Sequence, residues 1–145
     1  MQGHAVAGEL LQIALAEGQR VRLRVASGSM WPLLRPGDQV EVTPVPLADL
    51  RPGALVVRAV PDGSFVVHRL LGLQGETIIT GGDALPRADP PWPADQLAGR
   101  VSAAWRGGRP IRLAARWPRP LGRLLAGWLR LRSLAGRLCR WMKHK

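Results

Sequence analysis

Two short stretches of strict alternation, one on each side of a turn-rich loop, place the strongest constraint on the fold. In residues 19–25 valine and leucine alternate with arginine, and an alternation of polar with apolar residues resumes in residues 39–43. A period of two puts the apolar side chains on one face of a half-buried strand. The loop between them, residues 27–38, holds two glycines and two prolines. The sequence therefore predicts a loop that two strands hold more rigidly than a free loop would be held.

Further short apolar runs separated by turns predict a mainly β fold. Residues 54–60 and 64–71 flank a Pro-Asp-Gly turn, which is typical of a hairpin. Residues 71–80 predict a second hairpin that turns near Gln74, and residues 99–105 predict a last strand. The 17 glycines and 13 prolines among 145 residues agree with one turn-rich globular domain.

One segment near the N-terminus has helical spacing instead. Residues 6–16 place Val6, Leu10, Ile13 and Leu15 among small residues, and Gly18 follows as a stop signal. We expect a short amphipathic helix there.

The positive charge of the chain is concentrated at its C-terminal end. The net charge is +11; all ten acidic residues lie at or before Asp95, and twelve of the 21 basic residues lie at or after Arg106. Arginine recurs every seven positions from Arg116 to Arg137 while leucines gather on another arc, which predicts a basic amphipathic helix. A basic tail indicates an anionic partner, either a membrane surface or a nucleic acid.

Tryptophans in this tail favour the membrane surface as its partner, because an indole ring suits the boundary between water and lipid. Docking of the leucine face on the body of the protein is the alternative, and nucleic acid is disfavoured. The residues expected to contact the membrane are Trp117, Arg123, Trp128, Arg130, Arg137 and Trp141.

Several classes of protein do not fit the sequence. The chain has no run of 18 or more uncharged apolar residues, and its N-terminus lacks the basic start and apolar core of a secretory signal. We therefore expect a protein without a transmembrane span, on the cytoplasmic side and peripheral on the inner face of the membrane. The single Cys139 excludes an internal disulfide or cysteine cluster, and three scattered histidines do not suggest zinc, so no cofactor is expected.

The loop at residues 27–38 also carries the first chemical motif. Gly28, between Ser27 and Ser29, permits backbone conformations that let both hydroxyls point into one cleft. Ser-Gly-Ser alone is more often an ordinary loop. The longer pattern Ser-x-Ser-Met-x-Pro, followed by Gly-Asp-x-Val-x-Val, resembles the nucleophile box of type I signal peptidases of the S26 family. The resemblance implies that Ser29 is the nucleophile, and that the Ser27 hydroxyl and the Ser29 backbone N–H form the oxyanion hole. Leu33 stands where the family usually has threonine.

A serine nucleophile needs a base within hydrogen-bond reach, and His68 is the candidate. The only lysines, Lys143 and Lys145, end the tail, which disfavours a Ser-Lys dyad. Residues 66–72, Val-Val-His-Arg-Leu-Leu-Gly, resemble the Val-x-His-Arg-Val-x-Gly box of endoplasmic-reticulum and archaeal signal peptidases, in which histidine is the general base. A lone histidine on a strand is more often structural, but its position in this box favours the base.

Two aspartates are candidates for the third group. Residues 80–84, Thr-Gly-Gly-Asp-Ala, resemble the Thr-Lys-Gly-Asp-Asn box of the same subgroup, with Gly81 in place of the lysine. In that subgroup an aspartate six residues beyond the Gly-Asp carboxylate completes the triad. This implies that Asp89 orients His68 and that Asp83 is a supporting carboxylate. The two assignments could be exchanged, and either aspartate could merely cap a turn.

The resemblance covers roughly residues 27–101 and implies a mainly β, signal-peptidase-like serine endopeptidase. Such an enzyme would cleave a precursor or leader peptide after small residues. It would have an N-terminal helix (1–18), a catalytic domain (19–110) and a basic amphipathic tail (111–145). The N-terminal helix occupies the place of the family's membrane span, or packs on the body.

Two other interpretations remain open. The first is a catalytically inactive peptide-binding module of the same fold. The second is a DNA-associated relative of the self-cleaving SOS repressors, which the lack of a helix-turn-helix pattern and of a Ser-Lys dyad disfavours.

Overall fold

The computed structural model describes residues 2–113 and shows a mainly β fold with one N-terminal helix, as the sequence predicts. The helix, α1, spans Gln2–Ala16, and short 3₁₀ turns lie at Leu47–Asp49 and Ala94–Gln96. The strands of the described part are β1 (Val21–Arg24), β2 (Gln39–Thr43), β3 (Leu55–Ala59), β4 (Phe65–Gln74), β5 (Thr77–Gly81), β6 (Trp92–Pro93), β7 (Leu97–Arg106) and β8 (Arg109–Pro110).

The strands form one antiparallel sheet in the order β1-β2-β7-β3-β4-β5-β6, and β8 pairs with the end of β7. Residues 65–69 of β4 pair with β3 and residues 69–74 pair with β5, so β4 belongs to both predicted hairpins. His68 lies opposite Val56 of β3, and Leu70 lies opposite Thr80 of β5. The sheet therefore holds the strand that carries His68 between two hydrogen-bonded neighbours.

Two hydrophobic clusters cover opposite faces of the sheet at β3. The larger contains Val57 of β3 together with Met30 and Leu34 of the serine loop. The smaller contains Val56 of β3 together with Trp92 of β6. Burying each of these apolar side chains contributes about 1.5–3 kcal/mol. The serine loop is consequently part of the core packing and not an appendage to it.

The helix α1 packs on the body, which is one of the two positions that the sequence left open. Its Leu15 is buried in the larger cluster, with Leu11 packed beside it. The helix ends where Gly18 adopts a φ of 82° and donates its N–H to the Leu15 carbonyl at 3.0 Å. A residue with a side chain rarely adopts that φ, so Gly18 acts as the predicted stop. The outer face of the helix leaves Ile13 exposed.

The predicted strands are found, with shifts of a few residues at their ends. The turn of the second hairpin follows Gln74, at Gly75 and Glu76. The two-residue strands β6 and β8 were not expected, because each is too short to show alternation and contains a proline. The predicted helix of the tail and its six membrane-contact residues lie outside the described residues. Among the helices within residues 2–113, none combines the length and apolarity that a membrane crossing requires.

Candidate active site

The serine loop is fixed at both ends by backbone pairing and in its middle by burial. Val25 donates its N–H to the Asp38 carbonyl, and Gly37 donates to the Val25 carbonyl, each at 2.8 Å. Met30 is 2% exposed and Leu34 is fully buried. Because the residue after Ser29 is anchored in the core, the Ser29 side chain has a defined position at the surface of the body.

A second anchor joins the end of the serine loop to β7. The Asp38 carboxylate accepts hydrogen bonds from Arg106 Nε at 2.9 Å and Nη2 at 2.7 Å, and from the Arg35 backbone N–H at 2.8 Å. Arg106 Nη2 also donates to the Leu33 carbonyl at 3.0 Å. These hydrogen bonds, chiefly those from Arg106, outweigh burial and hold the pKa of Asp38 below its usual value. The pair fastens the loop to a strand that is distant in sequence.

The loop that follows β5 packs against the backbone of Ser29. Ala84 donates its N–H to the Ser29 carbonyl at 3.0 Å. A Cβ added at Gly82 would lie 2.6 Å from the same carbonyl oxygen, which is closer than such atoms approach. Gly82 therefore permits a close approach of two backbones that any larger residue would prevent.

The structure brings Ser29, His68 and Asp89 into one hydrogen-bonded chain. His68 is 8% exposed; its Nδ1 lies 2.5 Å from Asp89 Oδ2, and its Nε2 lies 3.2 Å from Ser29 Oγ. An ionised carboxylate can only accept, so Nδ1 carries the imidazole proton and donates it to Asp89. The lone pair of Nε2 is then directed at the Ser29 hydroxyl, which donates to it. This is the tautomer that a general base requires.

Asp89 meets the conditions for remaining ionised. Burial raises its pKa, but hydrogen bonds from His68 and Thr80, together with the favourable electrostatic interactions with His68 and Arg58, lower it more. The pKa of Asp89 consequently lies below its ordinary value. A carboxylate in that state stabilises a proton on the adjacent imidazole.

Asp83, the other sequence candidate, lies in a different pair. Its carboxylate accepts from Arg69 Nε at 2.8 Å and from Arg69 Nη2 at 2.6 Å. Arg69 Nη1 also donates to the Gly53 carbonyl at 2.9 Å. Asp83 therefore ties the loop after β5 to β4 and to the turn before β3, and it is Asp89 that contacts His68.

Ser27, the residue expected to assist at the oxyanion hole, lies beside Ser29. Its Oγ is 3.3 Å from Ser29 Oγ, and its side chain is exposed to solvent. Since the Ser29 hydroxyl donates to His68, the Ser27 hydroxyl donates to Ser29 Oγ.

Three residues close to Ser29, His68 and Asp89 were not found from the sequence, and one of them, Thr80, bonds to Asp89 directly. Thr80 donates its hydroxyl to Asp89 Oδ2 at 2.6 Å, and Trp92 Nε1 donates to Thr80 Oγ1 at 3.0 Å. Arg58 lies 5.5 Å from the centre of the Trp92 ring and donates to Gln96. Thr80 stood in a quoted motif, but neither spacing nor composition assigns a partner to its hydroxyl.

These side chains also line a small cavity. It has a volume of about 220 Å³, and its walls include Val56, Arg58, Val66 and Trp92 together with His68. A larger groove of about 630 Å³ lies between α1 and the strand pair β3–β7, and holds none of the triad. Within residues 2–113 no three His, Cys, Asp or Glu side chains are placed to hold a metal ion.

No protein-family model matches the sequence, and no curated protein matches it either.

Proposed function

We propose that this protein is a serine endopeptidase of the signal-peptidase-like kind, in which Ser29, His68 and Asp89 perform the catalysis. The observation that carries the proposal is the continuous hydrogen-bonded chain, with 3.2 Å from Ser29 Oγ to His68 Nε2 and 2.5 Å from His68 Nδ1 to Asp89 Oδ2. Both distances are within the reach that proton transfer from a nucleophile to its base requires.

In the proposed reaction Ser29 Oγ attacks the carbonyl carbon of the scissile peptide bond as its proton passes to His68 Nε2. Asp89 stabilises the resulting imidazolium through Nδ1. The Ser29 backbone N–H and the Ser27 hydroxyl stabilise the oxyanion, and each such donor typically accelerates the reaction by about 10²- to 10³-fold. His68 then returns the proton to the leaving amine. Water next attacks the acyl carbon as its proton passes to His68, and His68 returns that proton to Ser29 Oγ as the acyl group leaves.

A polypeptide is the substrate class that the surroundings of Ser29 favour. Trp31 and Leu85 are 54% and 47% exposed; Trp31 follows Ser29 by two residues, and the Leu85 side chain lies near Gly82, whose backbone approaches the Ser29 carbonyl. Exposed apolar side chains beside a reactive group offer contacts to an apolar segment. We propose precursor or leader peptides, cut after small residues, at the cytoplasmic side of an anionic membrane to which the basic residues of the tail bind.

The test is a comparison of cleavage products by mass spectrometry. Wild-type protein and the Ser29→Ala variant are incubated with a complex peptide library, with and without anionic vesicles. We expect products with small residues before the cut from the wild type alone. Ser102→Ala is the matched control, because Ser102 is exposed on β7 and, within residues 2–113, its hydroxyl bonds only to Glu41; it should cleave as the wild type does.

Two outcomes would contradict the proposal. Equal cleavage by the Ser29→Ala variant would remove Ser29 from the reaction. No cleavage by the wild type under either condition would favour the peptide-binding module, which should hold a peptide without changing it.

A further inference from the structure

A buried pair of polar side chains lies behind the Asp89 carboxylate. Trp92 Nε1 donates to Thr80 Oγ1 at 3.0 Å, and Thr80 Oγ1 donates to Asp89 Oδ2 at 2.6 Å. Thr80 and Trp92 are each 2% exposed. The two residues come from neighbouring strands, since β5 pairs with β6.

We infer that Thr80 is a positioning residue of the active site: held by Trp92, its hydroxyl fixes the Asp89 carboxylate in the orientation that His68 needs. The inference rests on the proposed function as far as its effect on catalysis is concerned. Its geometric part, that Thr80 controls the bond between Asp89 and His68, stands by itself.

The direction of the hydrogen bonds supports this role. An indole N–H can only donate, so Thr80 Oγ must accept from Trp92. The hydroxyl has one hydrogen, and that hydrogen is then committed to Asp89. A free serine or threonine hydroxyl would rotate among several acceptors, whereas this one is restricted to a single direction.

The atom of Asp89 that Thr80 contacts also supports the positioning role. Thr80 and the His68 Nδ1–H donate to the same oxygen, Oδ2. The Asp89 backbone N–H in turn donates to the Thr80 carbonyl at 2.8 Å. The aspartate is therefore attached to Thr80 at both its backbone and its carboxylate, which fixes the carboxylate relative to the imidazole.

The charges around Asp89 agree with a carboxylate kept ionised. The charged and titratable groups that face it are His68 of β4 and Arg58 of β3. Arg58 is itself positioned against the Trp92 ring and by a 2.7 Å bond to Gln96 Oε1. Thr80 is among the groups that lower the pKa of Asp89.

A purely structural role for Thr80, in which its hydroxyl only satisfies the buried Trp92 N–H, predicts different results. Thr80→Val in the full-length protein removes the hydroxyl and keeps the shape. Thr80→Ser keeps the hydroxyl and removes a methyl group. Thr77→Val is the matched control, because it makes the same change on the same strand at a threonine without a side-chain hydrogen bond in the described part.

The first readout is the proton NMR signal of the His68 Nδ1–H, assigned by its absence from His68→Gln protein. A proton held between an imidazole and a carboxylate exchanges slowly and gives a distinct signal at neutral pH. We expect Thr80→Val to lose or shift this signal, and Thr80→Ser and Thr77→Val to retain it. A signal that is unchanged in folded Thr80→Val protein would overturn the inference, whether or not the protein cleaves peptides.

The second readout is cleavage of a peptide containing a site identified in the library. For Thr80→Val we expect kcat to fall by about tenfold to a hundredfold, the rate equivalent of one hydrogen bond to a charged acceptor. KM should stay within about twofold, since substrate binding is not altered. Thr80→Ser should recover most of the lost rate.

Thermal unfolding of each variant separates this effect from a general loss of stability. Should Thr80→Val not fold, Trp92→Phe replaces it, because that change frees the Thr80 hydroxyl to rotate and should weaken the same signal. A fall in Tm with unchanged kcat would overturn the positioning role. A wild type that cleaves nothing but shows the Thr80-dependent signal would contradict the proposed function and support the geometric inference.

Discussion

At the scale of single residues, the two aspartates after β5 show how a strand separates their roles. His68 and Arg69 are consecutive in β4, and consecutive side chains of a strand point to opposite faces. Asp89 lies on the side of His68, and Asp83 lies on the side of Arg69. The alternation of β4 therefore assigns one carboxylate to the imidazole and the other to the guanidinium.

Replacing each aspartate by asparagine should give opposite patterns of damage. Asp89→Asn replaces a carboxylate, which can only accept from His68, by a neutral amide that can also donate and so no longer fixes the His68 tautomer. We expect kcat to fall by on the order of 10³- to 10⁴-fold with little change in stability. Asp83→Asn removes the carboxylate that pairs with the buried Arg69, so we expect a loss of about 3 kcal/mol in the free energy of unfolding. The measurements are peptide cleavage and urea unfolding of both variants.

Each aspartate variant serves as the control for the other. Equal losses of rate in the two variants would mean that the triad includes Asp83 or that both act only through the fold.

The residues of the candidate site divide into those that local motifs predict and those that need the sheet. Ser29 and His68 stand in short motifs, and their chemistry limits what roles they can have. Asp89 followed only from a resemblance and a count of six residues. The Thr80–Trp92 and Asp38–Arg106 contacts join residues 12 and 68 positions apart. No local pattern encodes them, because they depend on which strands become neighbours.

At the scale of elements, the loop after β5 fixes the position of the Ser29 backbone. Gly82→Ala should lower kcat by about 10²-fold, because its Cβ would displace the Ser29 carbonyl and with it the hydroxyl. The adjacent Gly81→Ala is the control: its Cβ would meet the end of the Leu71 side chain at 3.2 Å, which can move. Peptide cleavage by the two folded variants is the measurement.

A comparable loss of activity in the two glycine variants would contradict this account. It would show that the loop tolerates no side chain at either position, and not that Gly82 supports the serine in particular.

The second support of the serine loop should respond to acid. The pKa of Asp38 in the folded protein lies below its ordinary value, so its ion pair with Arg106 stabilises the fold above pH 4. That contribution is lost as the pH falls through the lowered pKa of the folded state. We expect Asp38→Asn to be less stable than the wild type at pH 7, and the difference to shrink toward pH 3.

Urea unfolding from pH 7 to pH 3 is the measurement for this pair. Asp95→Asn is the control, since Asp95 is exposed and its side chain makes no hydrogen bond among residues 2–113. A difference between wild type and Asp38→Asn that stays constant with pH would show that Asp38 titrates alike in the folded and unfolded chains.

The helix and the strands were predictable where the hydrophobic periodicity extends over at least several residues. β2 lies where alternation places it, and the positive φ of Gly18 ends α1 as expected. The continuity of β4 through both hairpins was not evident, because a register shift between Leu70 and Gly72 interrupts its pairing with β5. The pairing of β7 with both β2 and β3 could not be read from the sequence either, since it joins distant segments.

At the scale of the whole molecule, charge is divided between two parts of the chain. Residues 1–105 contain nine basic and ten acidic residues, whereas residues 106–145 contain twelve basic residues and none that is acidic. The proposed active site belongs to the nearly neutral part. A tail that binds an anionic surface would bring this site to a membrane without using the site's own residues.

Vesicle binding should therefore depend on the arginines of the tail. We expect substitution of Arg123, Arg130 and Arg137 by glutamine in the full-length protein to weaken binding to phosphatidylserine vesicles by roughly a hundredfold, at about 1 kcal/mol for each charge near the surface. Cosedimentation measures the binding, and added salt should weaken the binding of the wild type.

The control removes equal charge from the body, at Arg24, Arg87 and Arg100, which are exposed and make no ion pair within the described residues. Equal weakening in both variants would indicate attraction by net charge alone. Unchanged binding in the tail variant would instead favour a helix that docks on the body, because its arginines would then face water and not lipid.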